Sequence, residues 1–90
     1  MRLLPFSRFI VHEHSMIPAY KPGDHVLTFN WSLPRVGDVV VFMQQGKSFI
    51  KRIEKVENGE VFISGDNKKE SAKFSPIDQK DIIGKVIFRY

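Results

Sequence analysis

Short runs rich in apolar residues, separated by Gly-, Pro-, Asn- and Asp-containing turns, recur along this 90-residue chain, the pattern of short strands. Phe9, Val11 and Glu13 alternate with Ile10, His12 and His14, which predicts a first strand ending near Ser15. A turn-rich link follows, with Pro18 and then Lys21-Pro22-Gly23-Asp24. From His25 to Asn30 the alternation resumes, with Val26 and Thr28 on one face and Leu27 and Phe29 on the other. Pro34 and Gly37-Asp38 bracket another turn. Val39 to Met43 is apolar at every position, so it predicts a strand covered on both faces. Gln44-Gln45-Gly46 predicts a hairpin connection into Ser48 to Val56, where Phe49, Lys51, Ile53 and Lys55 share one face. Asn58-Gly59 is the strongest hairpin signal, because both central residues of such a turn need positive φ. Glu60 to Ser64 returns, Gly65-Asp66-Asn67 turns, and Ile82 to Tyr90 closes the chain as a strand interrupted by Gly84.

Six or so short strands, tight turns and no helical period predict an all-β fold of short, mostly antiparallel strands. Ninety residues make one small domain, 1–90, with 1–8 as an N-terminal extension. Composition agrees, since eight Phe and many Val and Ile favour strands. The absence of Cys excludes disulfides and thiolate chemistry. Lys and Arg number 14 against 10 Asp and Glu, a formal charge of +4. The positives are scattered over Lys47, Lys51, Arg52, Lys55, Lys68, Lys69 and Lys73, which reads as a solvated basic face, and no nucleic-acid partner is expected. The apolar run Val39–Met43 is far short of the ~20 residues of a helical membrane span. The N-terminal apolar stretch is broken by Pro5, Ser7 and Arg8, too early for a signal-peptide core. A soluble, cytoplasmic protein is the expectation, with peripheral membrane association compatible with it.

Two side chains stand out as candidate chemistry. Ser15 lies between a strand and a Pro-containing turn, where a hydroxyl can project from a sheet edge but where a lone Ser is usually a turn or cap residue. Lys51 shares a face with Phe49 and Ile53. It either snorkels to solvent or is held among apolar groups with a lowered pKa. His12 and His14 have a workable two-ligand spacing on a strand, but no third ligand is evident, so no metal and no cofactor are expected.

The order of the motifs separates these alternatives. Ser15-Met16-Ile17-Pro18 followed by Lys21-Pro22-Gly23-Asp24 resembles the Ser-Met-x-Pro…Gly-Asp opening of the signal peptidase I family. Arg35-Val36-Gly37-Asp38-Val39-Val40-Val41-Phe42 is similar to that family's Arg-Gly-Asp-Val-Val-Val-Phe strand. Ile50-Lys51-Arg52-Ile53 resembles its lysine motif, Gly65-Asp66-Asn67 with Ser71 its Gly-Asp-Asn…Ser box, and Ile82-Ile83-Gly84-Lys85-Val86 its closing strand. In size the chain is closest to small soluble members such as nickel-type superoxide dismutase maturation peptidases.

The resemblance implies a LexA/signal-peptidase-like coiled sheet or partial barrel, and a serine endopeptidase that removes a leader or signal-type segment from a protein. It implies that Ser15 is the nucleophile, Lys51 the general base in place of a triad His, and Ser71 the hydroxyl that orients the amine. The Ser15 backbone N–H would be an oxyanion donor. The substrate would be a polypeptide in extended form, added as a guest strand beside Phe9, Val11 and Glu13, with His14, Met16, Phe49 and Ile50 around it. Glu13 departs from the family pattern, which has Gly or Ser there, and a carboxylate cannot donate to an oxyanion. The family's Asp-Ser-Arg is also absent, leaving Asp66 to pair with Lys73 or Arg52. LexA-type self-cleavage is not expected, because only 14 residues precede Ser15 and they hold no Ala-Gly or Cys-Gly bond. Two other readings are a catalytically weak relative that binds peptides, and a small basic β-barrel binding module.

Overall fold

The structure, a computed structural model, describes residues 4–67 and 76–90. Seven strands form in chain order: β1 (Phe6–Ile10), β2 (His25–Phe29), β3 (Val39–Gln44), β4 (Lys47–Glu57), β5 (Glu60–Ser64), β6 (Ile77–Asp78) and β7 (Ile82–Arg89). A 3-10 turn, Gln79–Asp81, joins β6 to β7. All pairings are antiparallel, and the strands make one sheet in the order β1-β2-β7-β3-β4-β5-β6. The all-β expectation is therefore met.

β3 organises the interior. Its four residues Val39 to Phe42 are all buried, as continuous apolarity predicts for a strand covered on both faces. Val40 and Phe42 join Ile53, Val61, Ile63, Ile77 and Ile82 in one cluster. Val39 and Val41 join Val11, Met16, Val26 and Ile50 in a second. One strand thus links two hydrophobic layers.

Both hairpin turns behave as their residues dictate. Gln45 and Gly46 have φ of 53° and 77°, and Asn58 and Gly59 have 52° and 79°. Two consecutive positive φ values match the right-handed twist of the flanking strands.

Besides the passage at Gly84, three features differ from the sequence pattern. The first strand stops at Ile10, because Val11 leaves the regular ladder: its N–H donates to the Asp24 carbonyl (2.8 Å) and its own carbonyl accepts from the Gly23 N–H (2.7 Å). Lys55 does not share the face of Phe49, Lys51 and Ile53. A bulge at Glu54 shifts the register, so that Ile53 pairs with Ile63 but Lys55 pairs with Phe62. Lys55 then lies over the Phe62 ring and pairs with Glu57 in solvent. Finally, β6 has only two residues, too few to show alternation; burial of Ile77 against the core defines it.

Gly84 does not interrupt the last strand but lets it pass close to β2. A Cβ there would stand 2.2 Å from Asn30 Oδ1, 2.9 Å from the Phe29 carbonyl oxygen and 3.1 Å from Thr28 Cβ. Asn30 cannot readily yield. Its Oδ1 accepts from the Thr28 hydroxyl at 2.7 Å, and its Nδ2 donates to Ser7 Oγ at 2.8 Å and to the Leu4 carbonyl at 3.2 Å. Gly84→Ala is expected to lower stability by about 1–3 kcal/mol, the usual cost of overpacking. Urea unfolding measures it, and an unchanged midpoint would show that β2 and β7 part easily.

Candidate active site

Ser15 opens the turn that follows the β1 extension, and its side chain is buried. Two anchors fix that turn. Met16 is wholly buried in the second cluster beside Val11, Val26 and Ile50. On the other side Asn67 donates its backbone N–H to the Ser15 carbonyl (2.6 Å) and its Nδ2 to the His14 carbonyl (3.0 Å). Asn67 belongs to the Gly65-Asp66-Asn67 turn, which Arg52 holds in place. The Arg52 guanidinium donates to both Asp66 carboxylate oxygens, at 2.9 and 2.8 Å, and to the Gly37 carbonyl at 2.8 Å. That bidentate pair holds the Asp66 carboxyl below the usual carboxylate range. Asp66 thus pairs with Arg52; its other candidate partner in the sequence, Lys73, lies outside the described residues.

Lys51 follows Ile50 on β4 and pairs with Val40 of β3, on the face that carries the first cluster. Its side chain is 1% exposed. The Nζ donates to Ser15 Oγ at 2.5 Å and lies 3.6 Å from Glu13 Oε2. Burial pushes the amine below the ordinary lysine value, and the nearby Glu13 carboxylate opposes that shift without cancelling it. The other Glu13 oxygen accepts the Ile50 backbone N–H at 3.0 Å. A hydroxyl and a partly desolvated amine in direct contact can exchange a proton, which is the requirement for activating a serine.

The sheet has to coil for these groups to meet. β1 and β4 are separated by β2, β7 and β3 in strand order, yet the β1 extension touches the β4 edge through Glu13. Between them runs a slot of about 30 Å³ whose walls include Phe9, Val11, Glu13, Phe49 and Ile50. It opens into a groove of about 610 Å³ that shares Phe9, Ile10, His12 and Ser48 with it. Met16 departs from the expected cleft, since its side chain is core. His14 is exposed and is not a wall of the slot. Ser71 lies outside the described residues. Ser15 and Lys51 are themselves walls of neither the slot nor the groove, nor of a further cavity of about 630 Å³ lined by Trp31–Pro34, Gln79, Lys80 and Ile82–Gly84. Asn67 was not legible as a clamp on the Ser15 turn; its signal was membership of the Gly-Asp-Asn box. No helix among the described residues is long and apolar enough to cross a membrane.

No curated protein matches the sequence. A family model described as Peptidase S24-like matches residues 8–87, a span that includes Ser15, Lys51 and nearly the whole sheet. With that match over most of its length, and with the coiled all-β sheet that presents the two side chains to each other, the chain belongs to the Peptidase S24-like family.

Proposed function

We propose that this protein is a serine endopeptidase in which Ser15 is the nucleophile and Lys51 the general base. The observation that carries the reading is the 2.5 Å contact between Lys51 Nζ and Ser15 Oγ, both side chains out of water. Membership of a peptidase family supports a polypeptide substrate. The neutral amine of Lys51 would take the proton from Ser15 Oγ as the oxygen attacks the peptide carbonyl. The resulting ammonium would give that proton to the leaving amine, and a water activated by the same lysine would release the acyl group. The Ser15 N–H would donate to the oxyanion. The substrate would lie extended in the groove beside Phe9 and Phe49, and the resemblance to signal peptidase I points to removal of a leader or signal-type segment. A catalytically weak peptide binder is the second reading, favoured by the Glu13 carboxylate 3.6 Å from the amine, which stabilises the charged form of Lys51.

Ser15→Ala and Lys51→Ala are each expected to abolish cleavage as fully as the double variant, because the dyad acts as a unit. Assays of kcat/KM on a processed protein would decide it, and substantial turnover by either single variant would refute the dyad. Lys51→Arg keeps the charge but cannot lose a proton, so it should be inactive. The acidic limb of the kcat/KM profile should lie well below the ~10.4 of an exposed lysine.

The same depressed pKa sets a stability trend that needs no substrate. Between the folded pKa of Lys51 and the ~10.4 of an unfolded lysine, the unfolded chain holds a proton that the native one lacks. Stability should therefore rise with pH through that window and lose that increment as pH falls. Lys51→Met should remove this component, as the difference between urea titrations of the two proteins from neutral to alkaline pH.

A further inference from the structure

β4 has two edges, and they are covered differently. β3 pairs with it from Lys47 to Arg52, whereas β5 pairs only from Arg52 onward. Among the described residues no strand covers the second edge from Lys47 to Lys51. The Ile50 N–H on that edge is met by a side chain, the Glu13 carboxylate at 3.0 Å. The second oxygen of the same carboxylate is the one that lies 3.6 Å from Lys51 Nζ. A single carboxyl group thus does two things: it accepts the backbone donor a guest strand would need, and it supplies the counter-charge that favours the ammonium form of the base.

Resting on the Ser15–Lys51 reading, we propose that Glu13 is a substrate-displaced positioning residue that holds the free protein latent. Its carboxylate stands in for a substrate carbonyl on Ile50 and keeps Lys51 protonated until an extended chain takes its place. The geometry makes displacement necessary. The slot measures about 30 Å³, room for a water or two and not for a peptide unit, while the adjoining groove of about 610 Å³ is open. Glu13 has somewhere to go, since its side chain is a quarter exposed.

When a substrate carbonyl accepts the Ile50 N–H, Glu13 swings to solvent and Lys51 loses its opposite charge while staying buried. Desolvation then acts unopposed, the ammonium releases its proton to water, and the neutral amine is ready to accept the proton of Ser15. Binding and activation are one event, which protects bystander bonds from a permanently active serine. Arg8, His12, His25 and Tyr90 line the adjoining groove and His14 is next in the chain. Among the described residues, Lys51 is the group ion-paired with Glu13.

The test reads Lys51 directly, by NMR titration of protein labelled with 13Cε-lysine, in wild type, Glu13→Gln and Glu13→Ala, with Lys51→Met to assign the signal. Glu13→Gln removes the charge and keeps an acceptor for Ile50; Glu13→Ala removes both. Both variants should lower the Lys51 pKa by about one unit, a tenfold change in acidity. Glu13→Ala alone should speed hydrogen exchange at the Ile50 amide. Acylation by p-nitrophenyl acetate at pH 7 should rise about tenfold in both variants, and Ser15→Ala should abolish it. An unchanged Lys51 pKa, or an Ile50 amide equally protected in Glu13→Ala, overturns the latch. Acylation insensitive to Ser15→Ala, with the Lys51 shift present, overturns the dyad reading instead. If one variant fails to fold, the pKa in the other still decides.

Discussion

Lys51 is almost wholly removed from water, and removing an ammonium group from water costs several kcal/mol unless a partner or loss of the proton relieves it. The protein supplies partners, since the Ser15 hydroxyl accepts from the amine and the Glu13 carboxylate lies beyond it. Burial outweighs the carboxylate, and the amine ends below its ordinary pKa. Much of the architecture serves to hold that balance. β4 carries Lys51 between Phe49 and Ile53, and β3 covers it with Val40, so the lysine occupies a position that an apolar residue would otherwise fill.

Precision at the site is built from backbone contacts reaching in from three segments. The turn at Ser15 is anchored below by Met16 and above by Asn67, and Asn67 is fixed in turn by the Arg52–Asp66 pair. Arg52 is the residue directly after the base. β4 therefore presents Lys51 on one face while its neighbour braces the loop that clamps the nucleophile. A planar guanidinium with two parallel bonds to a carboxylate fixes orientation as well as distance, which a lysine at position 52 could not do.

Coiling of the sheet supplies the remaining constraint. The bulges between β2 and β7, between β3 and β7, and between β4 and β5 each add local twist. Together with the close passage at Gly84 they bring the β1 extension around to the β4 edge, so residues 36 positions apart in sequence share one hydrogen bond. The gap left there is narrow, and Glu13 accepts the Ile50 N–H on an edge that no strand covers among the described residues.

Alternation and turn chemistry in the sequence determined the all-β class, five of the seven strands in near-final bounds, and both hairpins, because those features rest on interactions between neighbours. Double coverage of β3 was legible because four consecutive buried apolar residues have no exposed face to offer. The order of motifs singled out Ser15 and Lys51. The rest depended on distant contacts. Whether Lys51 snorkels or is buried turns on what packs against β4, and the same local pattern serves either outcome. A bulge at Glu54 moves Lys55 to the opposite face, an outcome that counting every second residue along the strand does not anticipate. Met16 reads as a cleft residue beside the nucleophile, and becomes core only because the turn folds it under. Asp66 could choose its cation, and Glu13 could meet Ile50 and Lys51, only once the sheet had coiled. Periodicity records which face a residue prefers, whereas tertiary structure decides which groups that face will meet.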